Sequence, residues 1–315
     1  MRRSTPVAVS GLKSLSRTRF PYTFFIHSSL PMNPFASYKN NVTSQFGEDG
    51  IVAELFKRIG TESKLCVEFG AWDGKHCSNT WTLWHDQGWG AVLIESRPGR
   101  VEQLKQDLGS AFPKVIPHVA FIKARGPQSL DALLPPLIGK QTIDLLSIDI
   151  DSDDGPIFEA LETYLPRVAI VEYNPTIPPH LSLRQKEGEY FGTSARAMVE
   201  IAEKKGYTLV AMTVGNCFFV KNEEVPKLGL TTLPTLEELF IHDSLTYVIS
   251  SFGGTLLTTR IPMFAKHSLL LPQLKQPQYT GNATLIPVVH FKVSSFTKLF
   301  WEKLVGKIKQ VFKKA

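Results

Sequence analysis

The sequence predicts an α/β fold: a doubly wound sheet, mostly parallel, with an antiparallel hairpin at one edge. Three observations predict it. Short apolar runs alternate with segments of helical periodicity between residues 45 and 205. The runs are rich in Val, Ile and Leu at successive positions, as in strands buried on both faces of a parallel sheet. The last two runs, Thr208–Met212 and Cys217–Val220, flank a Gly215-Asn216 turn and read as a hairpin.

Each element follows from its own residues. From Gln45 to Gly60, Ile51, Val52, Leu55, Phe56 and Ile59 recur at helical spacing, and Gly60 stops the helix. Leu65–Phe69 is the first strand. The next helix starts at Ser78-Asn79-Thr80, which are good N-cap residues, and closes at Gly88. Ala91–Ile94 is the second strand, followed by a polar helix over Arg100–Leu108 and a third strand near Lys114–Pro117. Leu130–Ile138 is a short helix broken by Pro135 and Pro136. Strand four is Ile143–Ile148, a helix runs through Ile157–Leu165, and strand five is Val168–Val171. Ser194–Lys205 is amphipathic and stopped by Gly206. Beyond residue 222 the signal weakens to a helix at Thr235–Ile241 and a Gly253-Gly254 turn. The expected organisation is therefore a leader and approach segment (1–43), an α/β domain (44–222), an extension acting as lid or substrate selector (223–291) and a terminal helix (292–315).

Composition narrows the class. A hydrophobic content of 43% with 20% charged residues is globular, not disordered. The net charge of +6 sits in the two tails. Residues 1–47 hold six Lys or Arg and no acid, and residues 292–315 hold seven Lys and one Glu, so the middle is acidic. A nucleic-acid partner, which needs a basic face on the fold itself, is not expected. Cys66, Cys77 and Cys217 show neither metal spacing nor a disulfide framework, as in a reducing compartment. No apolar run reaches the about 18 residues that span a bilayer, and the start lacks a signal-peptide core. A cytoplasmic location is expected. The Arg- and Ser-rich first twenty residues fit an organellar transit peptide or a basic leader, and both readings stand. At the other end, Phe300, Trp301, Leu304, Val305, Ile308, Val311 and Phe312 share one helix face, opposite Lys298, Glu302, Lys309 and Lys313. Residues 294–315 suit an anionic membrane surface, or equally a helix docked on its own domain.

The most informative stretch is Leu65–Gly74. A short strand ends in Glu68 and opens into a loop carrying Gly70, Asp73 and Gly74. The second strand ends in another acid, Glu95, placed to accept hydrogen bonds from ribose hydroxyls. A nicotinamide cofactor wants three glycines and room for a diphosphate. Two glycines between two acids suit a cationic nucleoside instead, and S-adenosylmethionine, with its ammonium and sulfonium, fits.

Acids also end the fourth and fifth strands: Asp149 and Asp151, with Asp153 and Asp154 following, then Glu172 and Asn174. Three uses compete. Asp149, Asp151, Glu172 and Asn174 could ligate Mg²⁺, Mn²⁺ or Ca²⁺. Asp149, Asp151 or Glu172 could serve as catalytic groups, with His76 and His180 as neutral candidates for the base. Asp151 and Asp153 could simply cap the helix that follows.

The ordered motifs Ser44-Gln45-x-Gly47-Glu48-Asp49-Gly50, Glu68-Phe69-Gly70-Ala71-x-Asp73-Gly74, Ser78-Asn79-Thr80, Gly88-Trp89, Ile94-Glu95, Leu146-Ser147-Ile148-Asp149-Ile150-Asp151 and Val171-Glu172-Tyr173-Asn174 resemble the FkbM-type methyltransferases. The resemblance runs to about residue 220. It implies a Rossmann-like seven-stranded sheet of the class I S-adenosylmethionine-dependent fold, and O-methyl transfer to saccharides or other biosynthetic hydroxyls. It places Glu68, Gly70 and Gly74 at the methionine part, Glu95 at the ribose, Val119 and Ala120 near the adenine, and Asp149 beside the transferred methyl. Trp72, in a loop that is usually less bulky, and Ser152-Asp153, where Gly or Asn is common, depart from the pattern. A non-catalytic binding module at a membrane and an NAD-dependent sugar-modifying enzyme are the rival expectations.

Overall fold

The computed structural model describes residues 33–151, 153–189 and 191–245, and the backbone of 248–250 and 256–258. The leader up to residue 32, the Gly253-Gly254 turn and the amphipathic segment 292–315 lie outside the described residues. Among the described residues, no helix is long and apolar enough to cross a membrane.

Seven strands form one sheet: β1 Leu65–Phe69, β2 Gly90–Glu95, β3 Val115–Val119, β4 Leu145–Ile148, β5 Val168–Glu172, β6 Tyr207–Met212 and β7 Asn216–Lys221. Their order is β3-β2-β1-β4-β5-β7-β6. The first five are parallel, and β7 runs antiparallel to both β5 and β6. The fold is the Rossmann-like seven-stranded sheet expected from the sequence, antiparallel edge hairpin included. A second sheet pairs β8 Val248–Ser250 with β9 Leu256–Thr258.

Alternation along the strands builds a core on each face, because successive side chains point to opposite sides. Val67 and Phe69 join Val92, Ile94, Leu146 and Ile148 in one core. Cys66 joins Ala91, Leu93, Leu145, Val168 and Ile170 in the other. Helix α1 (Glu48–Ile59) covers the second core through Ile51, Val52, Leu55, Phe56 and Ile59. Helix α2 (Pro98–Leu108) adds Leu104 and Leu108 to the same face.

The remaining helices are shorter than their sequence spacing predicts. The segment over 130–138 is two four-residue helices, α3 Leu130–Leu133 and α4 Pro135–Ile138, because Pro135 cannot continue the first. Helix α5 stops at Asp154–Ala160, since the Asp131 carboxylate takes the N–H groups of Glu162, Thr163 and Tyr164 at 2.8–3.1 Å. Helix α6 (Ala195–Lys204) is capped by the Ser194 side chain, which accepts from the Ala197 N–H. Helix α7 (Leu236–Leu239) carries a Thr235/Glu238 capping box, and Leu236, Leu239 and Phe240 bury into the first core. Where a helix was expected from Ser78 to Gly88, the chain makes a turn and then one π-helical stretch, Thr82–Asp86.

β1 lies at the centre, with β2 on one side and β4 on the other. The winding reverses there, so a crevice opens beyond the carboxyl ends of β1 and β4. Phe69 pairs with both Ile94 and Ile148, which brings Gly70, Glu95 and Asp149 to one level of that rim.

Candidate functional site

The rim is assembled by backbone before any side chain acts. Gly70 and Ala71 both donate their N–H to the Ile94 carbonyl, at 3.1 Å. Gly70 has φ +82°, and a Cβ there would stand 2.0 Å from the Asp149 carbonyl oxygen. Glycine is required at this position by conformation and by space together. Gly74 is also left-handed, but its missing Cβ would face Leu104, Leu93 and Trp84, so it serves apolar packing. Asp73 holds the loop between them, accepting the N–H groups of Lys75 at 3.0 Å and His76 at 2.7 Å.

Glu68 points into the 78–80 turn. Its oxygens accept from Ser78 Oγ at 2.6 Å, Thr80 Oγ1 at 2.7 Å and the Asn79 N–H at 2.8 Å. Burial raises its pKa, and these three donors oppose the rise. Ser78 Oγ also accepts from the N–H groups of Thr80 and Trp81, so the capping signal in the sequence is real but is shared with Glu68. Asn79 Nδ2 reaches Ser147 on β4 at 3.0 Å, which ties the turn across the sheet.

Glu95 ends β2, buried, and orders both loops of the crevice. It accepts from the Trp72 N–H at 3.2 Å with one oxygen, and from the Arg97 N–H at 2.9 Å and Ser96 Oγ at 3.2 Å with the other. Beside it, Val119 pairs with Glu95 across β2 and β3, and the Ala120 N–H donates to the Glu95 carbonyl. Val119 is 42% exposed and Phe121 60%, an apolar surface open at this edge.

The acids after β4 and β5 form a cluster of one sign. Asp149 is half-buried, and its side chain has no hydrogen-bond or ion-pair partner among the described residues. Burial raises its pKa well above the usual carboxylate value, and the charges of Asp154, Asp151, Glu68 and Glu48 raise it further. Glu172 is raised well above its ordinary value for the same reasons: burial first, then Asp149, Asp154 and Asp151. Its Oε2 accepts the N–H of Asp151, which sits at φ +60° in the left-handed region.

The other expected residues have different employment. Asn174 is turned into its own loop, its Oδ1 accepting from the Thr176 N–H and hydroxyl and its Nδ2 donating to the Phe191 carbonyl. Asp153 accepts from Gln185 and the Gly188 N–H, and makes no side-chain cap for α5. Asp154 accepts the Ile150 N–H at 2.8 Å and so folds the loop back over the rim. His76 and His180 are exposed on loops. Among the described residues no group of three His, Cys, Asp or Glu side chains is placed to hold a metal ion. Among the described residues the cation expected at Asp149, Asp151, Glu172 and Asn174 finds no such group, and the Asn174 amide is turned into its own loop.

Sequence reasoning missed two supports. Asp49 Oδ2 accepts from the N–H groups of Val42, Thr43 and Ser44 and from the Ser44 hydroxyl, so the Ser44–Gly50 motif is a folded loop held by its own acid. Glu48 bonds Thr213 Oγ1 at 2.6 Å and Asn216 Nδ2 at 3.3 Å, which braces α1 against the β6–β7 turn. It also missed that Arg97 and Arg100 both lie over the Trp72 ring, at 4.8 and 4.2 Å. A bulky residue in a Gly-rich turn was the available signal.

No family model matches the chain. No curated protein matches it either. Solved structures similar to it include a SAM-dependent methyltransferase from Aquifex aeolicus, at 11% identity over 55% of this chain and 88% of the other, with a TM-score of 0.34. The CcbJ methyltransferase from Streptomyces caelestis is 11% identical over 55% of this chain and 95% of its own, at a TM-score of 0.35. The TrmK protein of M. capricolum, solved with S-adenosylhomocysteine, is 11% identical over 53% of this chain and 67% of its own, at 0.34.

Proposed function

We propose that this chain is a S-adenosylmethionine-dependent O-methyltransferase of FkbM type, acting on a hydroxyl of a saccharide or similar biosynthetic molecule. The observation that supports it best is electrostatic. The leading charges that act on Asp149 are all acids, Asp154, Asp151, Glu68 and Glu48, and no cation of the described residues pairs with it. Like carboxylates at one rim repel unless something positive lies between them. A sulfonium nucleoside supplies that charge and brings an activated methyl group. A dinucleotide would instead press its diphosphate against these acids.

The residues present fit such a ligand. Asp149, without a partner among the described residues, offers its carboxylate to a cation. Glu95 offers an acceptor to ribose hydroxyls from a rim position that both flanking loops hold in place. Val119, Ala120 and Phe121 line the apolar edge beside it, where a purine would lie. Glu68, with its oxygens given to the 78–80 turn, acts as a positioning residue. The Asp149–Glu172 pair, raised by burial and mutual repulsion, is suited to accept the acceptor's hydroxyl proton.

Calorimetry with S-adenosylmethionine, S-adenosylhomocysteine and NAD tests the reading. Heat with NAD and none with the two methyl-cycle ligands would end it. Glu95→Ala should weaken S-adenosylhomocysteine by about 1–3 kcal/mol, as expected for loss of a charged acceptor. Unchanged affinity rejects the ribose role.

The pH dependence has a definite sign. A cationic ligand prefers the ionised pair, and the pair's pKa is raised in the free protein. Affinity for S-adenosylmethionine should therefore be weak at low pH and climb as pH rises through the raised values. S-adenosylhomocysteine lacks the sulfonium charge and should show the shallower climb. Parallel pH profiles for the two ligands would remove the acid cluster from cation recognition.

A further inference from the structure

Outside the acid cluster, the mouth of the crevice carries a feature of opposite sign. Trp72 is a bulky residue held at φ +51°, a region such side chains rarely adopt. Its N–H is fixed by Glu95, and its ring receives the guanidinium groups of Arg97 and Arg100 at 4.8 and 4.2 Å. Both arginines are exposed, and neither side chain has an ion-pair or hydrogen-bond partner among the described residues. Two cations over one ring repel each other, and their N–H groups, without partners among the described residues, are open to an anion. A dianionic oxyanion satisfies both conditions: it offsets the repulsion and accepts paired hydrogen bonds from each fork. Backbone strain of this kind persists where surrounding structure enforces it, and it gathers at ligand clamps.

We propose that Arg97 and Arg100, laid on Trp72, form a clamp for a phosphoryl group carried by the methyl acceptor. The assignment rests on the cofactor reading above and adds the acceptor's class: a phosphorylated hydroxyl compound, not a neutral one. S-adenosylmethionine carries no phosphoryl group, so on that reading the anion belongs to a second ligand and not to the nucleoside.

Pyrophosphate, titrated by calorimetry at low salt with and without saturating S-adenosylhomocysteine, is the probe. The wild-type protein should bind it in both states. The double variant R97A/R100A should bind at least about tenfold more weakly, the loss expected for charge-assisted hydrogen bonds. S-adenosylhomocysteine affinity should stay within about twofold in that variant, which also shows that it is folded. Wild-type protein that takes S-adenosylhomocysteine but not pyrophosphate overturns the clamp, and so does a double variant that binds pyrophosphate as well as wild type. Mutual exclusion of the two ligands gives the phosphate to a nucleotide and overturns the acceptor assignment. Pyrophosphate binding without S-adenosylhomocysteine binding sinks the cofactor reading, and the acceptor assignment with it. Trp72→Gly separates a clamp from a structural stack: it should raise thermal stability by relieving φ while weakening pyrophosphate. Lower stability with unchanged pyrophosphate affinity would make the stack structural only.

Discussion

Replacing Arg167 by Ala should lower the stability of this chain by about 3 kcal/mol, the lower end of what breaking a buried ion pair costs. Arg167 lies just before β5, its side chain 3% exposed, with Asp144 at 0% and Glu224 at 4%. Its guanidinium reaches Asp144 at 2.7 Å and Glu224 at 2.9 Å, and donates to the carbonyls of Ile59 and Gly60. Removing it leaves two buried carboxylates facing each other. Asp144 keeps the N–H groups of Glu62, Ser63 and Lys64, and Glu224 keeps Lys227 at 2.8 Å, which is why the loss stays at the low end. Urea unfolding reads the effect, and a loss below about 1 kcal/mol would show that the cluster is not as dry as its burial implies. The triple change Arg167→Met, Asp144→Asn, Glu224→Gln should recover much of the loss, since it leaves no unpaired charge. Hydrogen bonding to Arg167 holds the Glu224 carboxyl below its ordinary value. Its contribution is therefore full above the unfolded carboxylate pKa and is lost as pH falls through the depressed one. S-adenosylhomocysteine binding should survive in the folded fraction, because this cluster sits at the end of the sheet opposite the crevice.

Gly70→Ala should do damage of a different kind. An alanine Cβ would stand 2.0 Å from the Asp149 carbonyl oxygen at φ +82°, so either the ends of β1 and β4 part or the 70–74 loop changes course. Stability should fall by more than about 2 kcal/mol, beyond the left-handed penalty alone. Cofactor affinity should fall at least about tenfold, because Glu95 and Asp149 lose their common level. Gly88→Ala is the control: it too has positive φ, but open space surrounds its missing Cβ. It should cost only about 1–2 kcal/mol and leave binding intact. Equal effects at the two positions would mean that the close approach of β1 to β4 is not what Gly70 provides.

What could be read in advance follows from the range of the forces involved. The strands, α1, α6 and the hairpin were legible because their signals, period, cap and turn, act within a few residues. The acids at the strand ends were legible for the same reason: a strand-terminal carboxylate is a local pattern, and register then brings Glu95 and Asp149 level with Gly70. Helix α5 ended early because of Asp131, some thirty residues back, and no local pattern announces that.

The sequence by itself determined the class of sheet, the order of its elements, and the acidic character of the rim. Tertiary structure alone decided which acids are free to meet a ligand. Glu68 and Asn174 looked available and are engaged by Ser78, Thr80, Thr176 and Phe191, whereas Asp149 has no donor among the described residues. It also decided that Arg167 meets Asp144 and Glu224, and that Arg97 and Arg100 share one indole. The physical reason is that a side chain's charge and hydrogen-bonding capacity are properties of the residue, while their satisfaction depends on partners that only folding brings within reach.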